Sequence, residues 1–258
     1  MLVGVFVTGT SGGKHEPIQE LMLDAVLHET NKISFFGNME VNPALISAVS
    51  MTVILLIAAA CIRIFIIPKF QIIPGKFQLL LEQLVGLFDG LAKSNSPHRN
   101  KFLGAYIFGA GVYIFSSTLF ELFGLQVLTT EGTSLALPAP LSDINAAIAL
   151  GCLSYVVILS GGIAENGFRG FINTAKDFSL AISMSFRLFG AMLSGLLVTE
   201  LVYHYIHLSF VLPVVVAVLF TLLHALVQTY VLTMLTALFY GEVSEPHHPI
   251  KKKKNEQK

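Results

Sequence analysis

Five stretches of this chain run for twenty or more residues with few charges, at roughly 44–67, 102–125, 144–164, 178–208 and 211–240. A helix needs about 20 apolar residues to cross a bilayer. In hydrocarbon every backbone N–H and C=O must be satisfied within the segment, which makes the α-helix the natural form of such runs. The expected fold class is an all-α integral membrane protein with about five transmembrane helices. Only 12% of the 258 residues are charged, about half the share usual in a soluble domain. A sixth stretch, FQLLLEQLVGLFDGLAK at 77–93, carries Glu82, Gln83, Asp89 and Lys93 within its apolar pattern. It reads as an amphipathic helix lying on the membrane surface.

Lysine and arginine set the expected orientation. If the first span runs inward, Arg63, Lys69, Lys76, Lys93, Arg99, Lys101, Arg169, Lys176, the lysines at 251–254 and Lys258 face the cytoplasm. Only Lys14 and Lys32 fall outside, and Arg187 lies within the membrane. This asymmetry follows the positive-inside rule. The chain then divides into an outer N-terminal segment (1–43), a membrane domain (44–242) and a basic cytoplasmic tail (243–258). MLVGVFVTGT at the start is too short and lacks the basic flank of a signal peptide. Net charge is zero, which gives no reason to expect nucleic acid as a partner. Cys61 and Cys152 lie in different apolar segments and read as small core residues rather than a disulfide or metal pair. No nucleotide loop, metal cluster or nucleophile motif suggests an enzyme in its own right, and no cofactor is expected.

The last two runs approach 30 residues and would reach roughly 45 Å, against a hydrocarbon core of about 30 Å. They must tilt, kink or project beyond the bilayer. Within the first of them stands Arg187, about ten residues inside the span and beyond easy snorkelling. An arginine at mid-span costs about 2.5–3.5 kcal/mol on insertion scales, and it remains charged. A structural ion pair or a carbonyl-capping role is the plainer explanation; a functional charge is the default for an ionisable group at that depth. Gly190, Ala191, Ser194 and Gly195 fall within about 80° of it on the helical wheel, a small-residue stripe on which another helix can pack closely.

Other polar groups mark further faces. Glu200, His204 and His207 share a face away from Arg187 and are suited to a wet passage for protons. A solvated interfacial histidine explains His207 equally well. Thr221, His224, Gln228 and Glu242 form one stripe on the final helix. A helix–helix hydrogen bond would account for Gln228, and a satisfied core position for His224.

SMSFRLFGAMLSG (183–195) resembles the signature of subunit a of F-type ATP synthases. ALVQTYVLTMLTALFYGE (225–242) resembles the last helix of that family, with Gln228 at its usual glutamine. PAPLSDINAAIAL (138–150) resembles the stretch opening its fourth span, and IPGKFQLLLEQLVGLFDGLAK (73–93) its surface helix. The resemblance implies two long final helices strongly tilted against a rotating ring of c subunits. It implies proton translocation (sodium in some members) through two offset half-channels, in a stator that couples ion flow to rotation and ATP synthesis. Arg187 falls on the family's essential arginine, facing the ring carboxylate, with Gly190, Ala191, Ser194 and Gly195 packing against the ring. Implied partners are the c-ring, the subunit b peripheral stalk and the rest of the complex, in the lipid bilayer, with a bacterial inner membrane as the expected location.

The sequence departs from the family pattern at three positions: Ala191 stands where asparagine is usual, Leu196 where an acid or histidine is common, and Thr221 where an acid or histidine often lies. Polar groups displaced by about a turn offer a resolution, with Glu200 replacing position 196 and His224 replacing position 221. TLFELFGLQ (118–126) ends its span where many members have asparagine and proline. Glu121 there is either an outer-vestibule acid or a solvated helix end. The expected proton route is therefore Glu200, His204, His224, Gln228 and Glu121. Two other classes remain open to the residues alone: a secondary transporter with a midplane ionisable site, and a membrane scaffold indifferent to Arg187.

Overall fold

The computed structural model describes residues 33–35, 39–97, 100–120, 126–128, 134–204 and 212–245. Six helices account for most of them: α1 Pro43–Cys61, α2 Lys76–Asn95, α3 Asn100–Phe120, α4 Ile144–Ala175, α5 Ser179–His204 and α6 Leu212–Val243. Two short antiparallel strand pairs accompany them: β1 (Ile33–Phe35) with β2 (Met39–Val41) before α1, and β3 (Gln126–Leu128) with β4 (Ser134–Ala136) between α3 and α4. The expected helical class and the six apolar or amphipathic segments are all present. Among the described residues four helical stretches are long and apolar enough to span a membrane, and Ser179–Gly195 is a shorter apolar helical stretch.

Local chemistry explains where these helices begin and end. Asn42 caps α1, its side chain accepting from the Ala44 N–H at 3.0 Å, with Pro43 in the first turn where its missing N–H is harmless. Asp143 caps α4 through the Asn145 N–H at 2.9 Å. Pro213 likewise occupies the first turn of α6. After Cys61 the first span continues as a π turn (Ile62–Ile66) and a 3-10 turn closed around Pro68 (Ile67–Lys69).

Contacts at the helix ends reveal the alternation of chain direction. At one end Asn42 donates to Asp143 at 3.2 Å, joining the starts of α1 and α4. At the opposite end Ser96 and Ser244 share a hydrogen bond of 3.2 Å, joining the ends of α2 and α6. Asn166 donates to the carbonyls of Val243 and Glu245 there, each at 3.2 Å. These pairings suit a chain with an odd number of crossings.

The core runs through α3, α4, α5 and α6, centred on Leu103, Ile107, Ile114, Ile158, Met184, Leu188, Leu232 and Tyr240. Gly151 brings α4 onto α5, since a Cβ there would lie 2.9 Å from the Ser185 backbone nitrogen. α2 seats only Phe88 and Ala92 in the core, leaving Phe77, Leu79, Leu80 and Leu84 exposed, as befits a helix with one wet and one apolar side. α1 is buried only at Pro43, Ala44, Ser47 and Met51. Cys61 is therefore exposed rather than in the core, because α1 has left the bundle by that point. Cys152 is half-buried, and both are free thiols.

One feature of the architecture was invisible in the hydrophobic pattern. The fourth helical segment reverses at Gly167, whose φ of 58° and ψ of −140° suit glycine alone among ordinary residues. Tyr155 consequently donates a hydrogen bond to the Thr174 carbonyl at 3.0 Å, although a continuous helix would separate them by about 28 Å. Gly162 and Gly170 meet backbone to backbone where the two arms cross, leaving no room for a Cβ on either.

Candidate functional site

The packed face of α5 carries Ala181, Met184, Ser185, Leu188 and Met192, all buried. Arg187 stands about 120° from the middle of that face and is exposed, together with Ser183, Phe186, Gly190 and Ser194. It makes no hydrogen bond or ion pair with any described residue. A structural ion pair within the described bundle is thus absent, and the charge is presented outward. The four small residues divide between two environments. Gly190 and Ser194 are exposed beside Arg187, whereas Ala191 and Gly195 are half-buried where α5 meets α6.

At the α5–α6 junction a void of about 10 Å³ is lined by Thr118 of α3, Ala191, Met192 and Gly195 of α5, and Phe220, Thr221 and His224 of α6. That volume is close to the minimum for one water molecule. The His224 ring rests against Phe220, centroids 4.3 Å apart, with Nδ1 3.2 Å from the Phe220 carbonyl oxygen. A carbonyl can only accept, so in this hydrogen bond Nδ1 is the donor. Thr118 donates to the Ile114 carbonyl at 2.8 Å, and its oxygen retains acceptor capacity.

Gln228 follows one turn along α6 and is 5% exposed. Among the described residues its Nε2 has no hydrogen-bond partner, nor do Ser117 Oγ and Thr229 Oγ1. Buried polar atoms without partners are uncommon, and three of them occur in the α3 and α6 helices. Arg187 and Gln228 are not hydrogen-bonded to each other among the described residues.

A second cavity, about 380 Å³, opens at the Gly167 end of the bundle. The returning arm of α4, the start of α5 and the end of α6 enclose it, through Asn166, Asn173, Thr174, Asp177, Ser179 and Glu242 among others. Along α5 the order is this cavity at Ser179 and Leu180, then Arg187, then the small void at Ala191 to Gly195. Arg187 therefore lies about 12 Å along the helix from the Ser179 rim, with buried Met184 and Leu188 on the stretch of α5 between the two spaces.

Of the residues expected from the sequence, the structure brings His224 and Thr221 to one void and leaves Arg187 outward-facing. Gln228 is buried nearby, and Glu242 reaches the other cavity. Glu121 and His207 lie outside the described residues, as do residues 1–32 and the lysines at 251–254; the side chains of Glu200, His204 and Leu196 also lie outside them. Sequence reasoning missed Thr118, Asn166, Asn173 and Asp177. The hydroxyl pair Ser117–Thr118 inside an apolar run was a usable signal for the first. No comparable signal marked the others, which depend on the reversal at Gly167. Among the described residues no group of three or more His, Cys, Asp or Glu could hold a metal ion.

In comparison with protein families, the family model described as ATP synthase A chain matches residues 45–241.

Proposed function

Because the chain belongs to the ATP synthase subunit a family, the non-catalytic proton-conducting stator subunit of the membrane sector, we propose that Arg187 is the charge that each rotor carboxylate must pass. The supporting observation is an arginine exposed on a helix face at mid-span, with no partner in its own described chain. Such a charge cannot rest against lipid cheaply. A neighbouring surface carrying a carboxylate satisfies it, and exposed Gly190 and Ser194 let a helix come close. That partner is the ring of c subunits, with subunit b and the remainder of the synthase as further neighbours.

A fixed guanidinium lowers the pKa of an adjacent acid and promotes release of its proton. It also repels a free cation, so the two aqueous approaches stay separate. On this reading the void at Thr118, Thr221 and His224 belongs to the outer approach, with Glu200, His204, Gln228 and Glu121 extending it. The cavity at Asp177 and Glu242 opens the inner approach. Their placement on either side of Arg187 along α5 supports the two offset routes. A potential of 100 mV supplies about 2.3 kcal/mol per charge transferred.

The protein is an integral membrane protein. The lysine and arginine asymmetry supports an outer N-terminal segment (1–43), a membrane channel domain (44–242), a cytoplasmic tail (243–258) and residence in a bacterial inner membrane.

Arg187→Ala tests the central role. Membranes of the native host carrying this variant are expected to lose coupled ATP synthesis and ATP-driven proton pumping while the complex still assembles. Normal coupling in the variant would remove the assignment.

A further inference from the structure

A third cavity, about 450 Å³, lies where the first span ends and α2 begins. Phe65, Phe70, Ile73 and Phe77 form its apolar wall, and Lys69 and Lys76 stand among them. No acidic side chain among the described residues lines it. A volume of this size is usual for a ligand site. The turn between the two lysines is closed by its own hydrogen bonds. Gln78 accepts from the Gln71 N–H at 3.1 Å and donates to the Gln71 carbonyl at 3.0 Å. Its Nε2 also donates to Glu82 at 2.7 Å, the first acid to follow Glu40 in the chain. Among the described residues neither Lys69 nor Lys76 has an acid for a partner.

The span itself puts this cavity at a membrane boundary. Asn42 and Asp143 join the starts of α1 and α4, so two membrane-crossing stretches leave one boundary together. From there α1 carries no charge until Arg63, about 30 Å along the helix from Pro43, which is the thickness of the hydrocarbon core. Lys69 closes that span and Lys76 opens α2, so both cations stand where hydrocarbon gives way to headgroups. Unpaired lysines beside an apolar wall at that depth fit an amphiphile with an anionic head. A free phosphate would engage the lysines and leave the phenyl rings wet, and a neutral lipid would do the reverse.

We propose that this cavity binds one anionic phospholipid, its phosphate between Lys69 and Lys76 and its glycerol and upper acyl carbons along Phe65, Phe70, Ile73 and Phe77. α2 seats only Phe88 and Ala92 in the core, both in its second half. The bound lipid thereby fixes the end of α2 that the bundle does not hold.

The test uses the assembled synthase in vesicles of phosphatidylcholine containing a photoactivatable phosphatidylglycerol. After irradiation, crosslinks mapped by peptide mass spectrometry are expected to concentrate on residues 65–78, and unlabelled phosphatidylglycerol should compete for them. Absence of crosslinks there would mean that water or another subunit covers the cavity, and would overturn the proposal. Competition by soluble glycerol phosphate as strong as that by the lipid would make a free phosphate ester the ligand, and would overturn it too. In K69Q/K76Q, labelling of the segment is expected to fall about fivefold for each charge removed. The charge-matched K93Q/K176Q, whose lysines lie outside the cavity, should keep it. Equal labelling in the two double variants would reduce the contact to ordinary bilayer surface and sink the inference. Should K69Q/K76Q fail to assemble, the crosslinking and competition in the unaltered complex decide the matter alone.

Discussion

His224 shows how one side chain is oriented by its immediate surroundings. The Phe220 carbonyl accepts from its Nδ1, and the phenyl ring of the same residue supports the imidazole, leaving Nε2 without a hydrogen in that tautomer. His224→Phe keeps the ring contact and removes the exchangeable site. Proton flux through the sector is expected to fall while assembly persists, and unchanged flux in reconstituted vesicles would dissociate His224 from the route. Gln228 poses a different case, because its buried Nε2 already lacks a partner. Replacing an unsatisfied amide with an apolar group of similar size is close to neutral for stability. Gln228→Leu should therefore shift the thermal stability of the complex little while slowing pumping; a large destabilisation with normal pumping would make Gln228 a packing residue. Glu200→Gln is expected to slow proton flux severely without loss of assembly, measured by passive proton conductance of the membrane sector.

At the scale of elements, the reversal of α4 governs the end of the molecule where α2 and α6 terminate. The Tyr155–Thr174 hydrogen bond and the Gly162–Gly170 crossing hold the two arms together. A Cβ at Gly162 would lie 2.6 Å from Thr174 Oγ1. Gly162→Val should force the arms apart at a cost of about 1–3 kcal/mol. Tyr155→Phe should cost about 1 kcal/mol. Both losses should appear as faster proteolysis within residues 165–178, in that order of severity. Equal resistance in all three proteins would show that the crossing does not hold the arm.

For the whole molecule, the end contacts and the charge asymmetry make a joint prediction. Asn42 and Asp143 meet at one end, Ser96 and Ser244 at the other. Exposed Asn145, beside the first contact, and exposed Ser94, beside the second, should therefore lie on opposite sides of the membrane, Ser94 with the cytoplasm. In whole cells a membrane-impermeant maleimide should label Asn145→Cys and spare Ser94→Cys, with the pattern reversed in inverted vesicles. Labelling of both from one side would break the proposed topology.

The amino-acid sequence by itself determined the helical membrane class, because runs of apolar residues leave the backbone no other way to satisfy its polar groups. It also determined the spacing of the helices, the amphipathic stretch ending at Lys93 and the position of Arg187, since each is local. Caps at Asn42 and Asp143 and Pro213 in a first turn belong to the same local chemistry. Only the tertiary structure decided which face of α5 is left open. That depends on Gly151 admitting one side of the helix against α4, a steric event between residues far apart in sequence. The reversal at Gly167 escaped hydrophobic patterning for a similar reason: apolar content continues through Phe168 and Phe171, while the turn rests on one glycine's backbone freedom and on packing across the crossing. The cavity at Asp177 and Glu242 exists because those distant constraints are met together.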